Sequence, residues 1–155
     1  MKKFIYSALV VLTFSFTLIA CGNDNNDENI NYSTTAEQAS AGTYNGTWTR
    51  IGDDGKAVDF SGTVTLTAGS TTGVTSIAFS CPEAKLEATS LANVWNAKYG
   101  FHFLNQISDN NADNKLGAPF AGEIDENGVL VTSFTISQRS GRTLVKYNFS
   151  FTGKK

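Results

Sequence analysis

The sequence predicts an all-β protein, folded as a single antiparallel up-and-down barrel of about eight strands. From residue 42 onward, apolar and polar side chains alternate, which is the period of a strand with one buried face. Short turns rich in Gly, Asp and Asn separate these segments, and closing such a meander removes its exposed edges. A period of two also fits two packed sheets, so a β-sandwich is the alternative.

The first three strands are predicted within residues 43–81. Lys56 to Thr67 alternates most clearly, with one apolar face and one Thr-rich face. Thr43 to Ile51 precedes it through an Asp-Asp-Gly turn, in which Gly55 tolerates a positive φ. Val74 to Cys81 alternates in the same way and is the third predicted strand.

The fourth element is ambiguous, because residues 83–97 fit a helix and a strand equally well. Helical spacing relates five side chains in or next to this segment, Ala84, Ala88, Leu91, Trp95 and Tyr99. Ala, Glu, Lys and Leu also favour helix. A short strand around Lys85 to Thr89 is the other interpretation, and Pro82 ends the preceding strand in both cases.

Alternation returns in the last four predicted strands. They are Tyr99 to Gln106, Phe120 to Asp125, Gly128 to Gln138 and Thr143 to Gly153. Glycines at or near strand centres, such as Gly62, are typical of bends at barrel corners. Curved strands of this kind favour a closed barrel.

The first 20 residues predict a lipoprotein signal peptide. Two lysines precede an apolar stretch, Phe4 to Ile19, which is shorter than the roughly 20 apolar residues of a stable membrane span. Leu18-Ile19-Ala20-Cys21 resembles the bacterial lipobox, in which a signal peptidase cuts before a lipid-bearing cysteine. We therefore expect Cys21 to carry acyl chains that hold the protein on a membrane.

Residues 21–41 are predicted to be a disordered tether, and residues 42–155 the barrel domain. Gly22 to Asn29 is polar and acidic and has no apolar side chain to bury. An acidic stretch after the lipidated cysteine resembles the surface-export signal of lipoproteins from the Bacteroidetes group. The resemblance implies an outer-membrane lipoprotein of the cell envelope, facing either the periplasm or the cell surface.

The composition argues against a nucleic-acid partner and against an enzyme. The net charge of -2 leaves no positive excess for phosphates. His102 is the only histidine, and alternation turns it away from the apolar face of its strand without a visible partner. Cys81 is in register with Ile77 and Phe79, as expected of a small buried side chain. We predict no catalytic residue, metal or cofactor.

One loop partly matches a calcium-binding pattern. Asp109 to Asn114 places oxygen ligands at alternate positions, but Phe120 stands at the twelfth position, where Glu is required. A polar connection between two strands explains the same residues. We therefore predict no metal site there.

Short motifs across residues 40–155 resemble the calycins. Gly42 to Trp48 is similar to the Gly-x-Trp opening of lipocalins, and Phe120-x-Gly122-x-Ile124 and Tyr147-x-Phe149-x-Phe151-x-Gly153 lie in later strands. With the lipobox, the chain resembles a calycin-like lipoprotein of the Bacteroidetes group. The resemblance implies that Trp48 closes one barrel end under a cation from a late strand. The candidate cations are Arg139, Arg142 and Lys154.

A closed barrel would bring one set of mostly aromatic side chains together in its interior. The set is Tyr44, Trp48, Phe60, Val64, Leu66, Ile77, Phe79, Phe101, Phe103, Phe134, Tyr147, Phe149 and Phe151. These residues either line a cavity for one small apolar ligand or fill the interior as an ordinary core. The corresponding functions are a non-enzymatic ligand-binding lipoprotein and an interaction module that docks on an outer-membrane or surface protein.

Overall fold

The computed structural model describes residues 36–105 and 116–155 and places eight antiparallel strands in one closed barrel. Each strand pairs with the next along the chain, and the last pairs with the first. The strands are β1 Gly42–Ile51, β2 Ala57–Ala68, β3 Val74–Cys81, β4 Leu86–Ala97, β5 Gly100–Asn105, β6 Ala121–Ile124, β7 Val129–Ser140 and β8 Thr143–Lys154. The predicted up-and-down barrel is confirmed, and the sandwich alternative is wrong.

The ambiguous fourth element is a strand. Pro82–Ala84 form one 3₁₀ turn, which ends at Lys85 in the left-handed conformation. β4 then runs for 12 residues, paired with β3 on one side and β5 on the other. The helical interpretation of residues 83–97 is therefore wrong, because pairing on both sides outweighs local helix propensity. The alternative strand, Lys85 to Thr89, is correct in kind but too short.

A short helix, α1 (Ala36–Ser40), closes one end of the barrel. Ala36, Glu37 and Ser40 are buried there. The Gly73 N–H on the β2–β3 turn donates to Glu37 Oε2 at 3.0 Å. These helical residues fall within the predicted tether 21–41, so packed structure begins before residue 42. No helix in the described part of the chain is long and apolar enough to cross a membrane.

The up-and-down topology divides the connections between two ends. Turns 69–73, 98–99 and 125–128 lie with α1 at what we call the closed end. Turns 52–56, 82–85 and 141–142 lie at the opposite end, which we call the mouth.

Some sequence predictions fall outside the described residues. These are the signal peptide, the lipidated Cys21, the tether up to residue 35 and the partial calcium loop Asp109 to Asn114.

Candidate functional site

The interior set predicted from the sequence does point inward. Phe60, Phe101 and Tyr147 are partly exposed and pack against the core. The other members are buried, namely Tyr44, Trp48, Val64, Leu66, Ile77, Phe79, Phe103, Phe134, Phe149 and Phe151. Strand alternation alone therefore located the inner face of the barrel.

Trp48 fills the centre of the barrel. Its ring centroid lies 4.9 to 6.1 Å from those of Phe79, Phe134, Phe149 and Phe151. Gly62 makes room for the indole, because a Cβ at that position would lie 2.6 Å from Trp48 Cδ1. The indole N–H has no acceptor among the described residues. Side chains thus occupy the space in which a deep ligand cavity would lie.

No basic side chain among the described residues lies over the Trp48 ring. The expectation of a cation packed on Trp48 is therefore wrong. Trp48 is fully buried at the barrel centre, where aromatic rings surround it. Arg139, Arg142 and Lys154 are exposed at the strand ends. A cation reaching Trp48 would have to be buried among these rings, which is costly for a charge.

Arg50, which was not among the cations expected near Trp48, points into the barrel. It lies two residues after Trp48 on β1 and so shares its inward face. Its guanidinium carbon is 5.0 Å from the ring centroid of Phe60 on β2 and 4.8 Å from that of Tyr147 on β8. Side chains alternate between the two faces of a strand, so the inward position of Trp48 predicts that Arg50, two residues later, also points inward.

The mouth is partly open around Arg50, because the apolar side chains there are only partly buried. Val58, the β2 partner of Arg50, faces inward yet is 44% exposed. Ile136 and Val145 are also inward-facing and only partly buried. Gln138 Nε2 donates to the Lys85 carbonyl oxygen at 3.1 Å, which links the β7–β8 hairpin to the turn across the mouth.

The β3–β6 side of the mouth is covered. Leu116, Ala118 and Phe120 are buried in the segment that leads into β6. The Phe120 ring centroid lies 5.1 Å from that of Phe79 and 6.4 Å from that of Phe103. Exposed apolar surface at the mouth is therefore concentrated on the side formed by β1, β2, β7 and β8.

Cys81 and His102 lie where the sequence analysis placed them. Cys81 is fully buried, its thiol donates to the Ser61 carbonyl oxygen at 3.7 Å, and burial raises the pKa of the thiol. His102 is exposed on the outer face and stacks on Trp95, with ring centroids 6.0 Å apart. Within residues 36–105 and 116–155, no three His, Cys, Asp or Glu side chains are grouped to hold a metal.

A shallow depression of about 280 Å³ lies on the outer face of β1, β7 and β8. Its polar lining includes Ser133, Thr135, Asn148 and Ser150. Thr135 Oγ1 donates to Asn148 Oδ1 at 2.6 Å, so these two side chains already satisfy each other.

Comparison with known proteins adds no further constraint. No protein-family model matches the chain, and no curated protein and no solved structure is significantly similar to it. A function has to be argued from the barrel and its mouth.

Proposed function

We propose that this protein is a calycin-like lipoprotein of the cell envelope that binds a small apolar molecule at the barrel mouth. The observation that carries the proposal is the difference between the two barrel ends. α1 buries its side chains at the closed end, whereas inward-facing Val58 is 44% exposed at the mouth. Covering such apolar surface yields roughly 25 cal/mol per Å², which favours an apolar ligand there.

The filled centre restricts the proposed ligand to the mouth. Trp48 and the rings around it act as core, so most of the predicted lining residues support the site without touching the ligand. Phe60 and Tyr147 are the members of that set which are partly exposed at the mouth. They are the proposed contact residues, together with Val58.

The location of the protein rests on its N-terminal sequence. The lipobox-like Leu18 to Cys21 supports lipidation of Cys21 and attachment to the outer membrane. The motifs of residues 40–155 and the eight-stranded barrel support the calycin-like assignment. No catalytic role is proposed for any residue.

Nile red, a neutral apolar dye, provides a test of the mouth. Val58→Ser should weaken dye binding about fivefold, because it removes apolar surface that the dye would cover. Leu144→Ser is the matched control, since Leu144 is 66% exposed on the outward face of β8 at the same end. Fluorescence titration of both variants measures the effect, with circular dichroism as the folding check. Equal affinities for the two variants would contradict the proposal.

The filled centre also favours a second candidate, an interaction module that docks on an outer-membrane or surface protein. Such a module needs no ligand at the mouth. Absence of Nile red binding, together with cross-linking in intact cells from Ser150 in the outer depression to an outer-membrane protein, would support it. A cross-linker at Glu87, exposed on β4 across the barrel, is the control.

A further inference from the structure

We propose that the outer face of the β7–β8 hairpin is a docking surface for an anionic lipid bilayer. Exposed Leu144 enters the headgroup region, and the basic side chains around it contact the lipid phosphates. This surface is separate from the apolar ligand proposed for the mouth, and neither depends on the other.

The β7–β8 hairpin extends past the strands on either side of it. β6 pairs with β7 only as far as Ser133, and β1 pairs with β8 only from Asn148 onward. Between these limits, residues 134–147 form a ribbon whose two strands pair only with each other. On its inner face, Gln138 Nε2 donates to the Lys85 carbonyl oxygen at 3.1 Å. This hydrogen bond holds the ribbon in one orientation, with its outer face directed away from the barrel.

Leu144 lies on this outer face among three basic side chains. It is 66% exposed, more than any other large apolar side chain of the described residues. Arg139 is its cross-strand partner on β7, Lys146 is two residues away on the same face of β8, and Arg142 is in the adjoining turn. All three cations are exposed. Apolar side chains surrounded by cations are typical of surfaces that lie in the interface of an anionic membrane.

The hairpin carries positive charge only. Residues 129–155 contain five Lys and Arg and no Asp or Glu, although the net charge of the chain is -2. The other turns at the mouth, residues 52–56 and 82–85, each contain both acidic and basic residues. Within the described parts of the chain, no carboxylate forms an ion pair with Arg139, Arg142 or Lys146. Their charges are therefore available to external phosphates.

This surface would orient the barrel on a membrane without anchoring it permanently. Each Lys or Arg close to an anionic bilayer strengthens binding about fivefold. Salt screens such an attraction, so the binding is reversible. It therefore differs from the lasting attachment expected of acyl chains on Cys21.

Sedimentation with lipid vesicles tests the docking surface. The full chain carries Cys21→Ser in every arm, so that lipidation does not contribute. The vesicles contain either equal parts of phosphatidylglycerol and phosphatidylcholine or phosphatidylcholine alone. Arg139→Gln with Lys146→Gln removes two charges from the hairpin. Lys98→Gln with Lys154→Gln is the matched control, because it removes two exposed charges at the closed end.

We expect the hairpin double variant to bind phosphatidylglycerol vesicles about 25-fold more weakly than the parent, or about fivefold for each cation. The closed-end double variant should stay within about twofold of the parent. Leu144→Ser should weaken binding about fivefold, because its apolar side chain no longer enters the headgroup region. Phosphatidylcholine vesicles should bind every variant weakly, and circular dichroism checks that each variant is folded.

Three results would overturn the inference. One is failure of the parent to bind phosphatidylglycerol vesicles more tightly than phosphatidylcholine vesicles. Another is equal binding by the two double variants, because net charge would then matter and the hairpin would not. The third is full binding by Leu144→Ser together with loss in the hairpin double variant. The hairpin would then recognise negative charge alone, which an acidic protein surface also supplies. Nile red binding at the mouth is measured separately, so the proposed function does not fail with this inference.

Discussion

Tyr44 joins α1 to the barrel through one buried hydroxyl. Its O–H donates to the Ser40 carbonyl oxygen at 2.8 Å, and burial raises the pKa of Tyr44 from 10.0 to about 12. The folded state therefore disfavours the phenolate. The resulting stabilisation is fully present below pH 10 and is lost as the pH rises through the interval from 10 to about 12.

Tyr44→Phe tests both the hydrogen bond of this hydroxyl and its raised pKa. At neutral pH we expect the variant to lose about 1 kcal/mol of unfolding free energy, because one buried hydrogen bond is removed. Above pH 10 the difference from the wild type should shrink, since the variant has no phenol to ionise at this position. Urea unfolding from neutral pH to above pH 10 measures the difference in unfolding free energy between the variant and the wild type. Tyr99→Phe, at an exposed tyrosine, serves as control, and a pH-independent difference would contradict the assignment.

At the scale of elements, α1 is fastened to the β2–β3 turn by one side chain. Glu37 is buried and accepts the Gly73 N–H. Glu37→Ala should speed hydrogen exchange of the Gly73 amide about tenfold, because its acceptor is lost and the turn opens more readily. Amide exchange followed by NMR measures this effect.

Glu37→Gln is the matched variant, because it keeps a side-chain oxygen in place of the carboxylate. It should retain most of the protection at Gly73 and keep α1 packed. Equal exchange rates in Glu37→Ala and the wild type would show that other contacts of α1, such as the hydrogen bond from Tyr44 to Ser40, hold the helix.

Strand alternation predicted those elements whose two faces differ in polarity. β2 is the clearest example, with Val64 and Leu66 buried against a Thr-rich outer face. β4 is ambiguous in the sequence because its inner face carries small residues such as Ala88, and alanine also favours helix. Its identity depends on pairing with β3 and β5, and a local pattern does not contain that information.

The sequence did not predict α1 or the inward position of Arg50, for two different reasons. A five-residue helix has too few turns for a periodic signal, and tertiary contacts of Glu37 and Tyr44 hold it in place. Arg50 shares the inward phase of Trp48, but the calycin resemblance implies a cation on a late strand, and Arg50 lies on the first strand. The interior could be predicted from the sequence, whereas the open side of the mouth depends on where the buried segment Leu116 to Phe120 packs.

At the scale of the whole molecule, the polypeptide enters the barrel at the end opposite the proposed site. Ala36, the first described residue, is buried at the closed end, while Arg50 and Val58 lie at the mouth. The described part of the chain therefore begins away from the mouth. Anchoring and ligand binding should be separable properties.

Cys21→Ser tests that separation together with the proposed anchor. The variant should move from the membrane to the soluble fraction and lose incorporation of labelled palmitate, because the thiol proposed to carry the acyl chains is removed. Cys81→Ala, which alters the buried barrel thiol, should keep the label and the membrane location. Purified Cys21→Ser should bind Nile red as the wild type does, since α1, where the described chain begins, packs at the end opposite the mouth. Membrane retention of Cys21→Ser would show that something other than Cys21 anchors the chain.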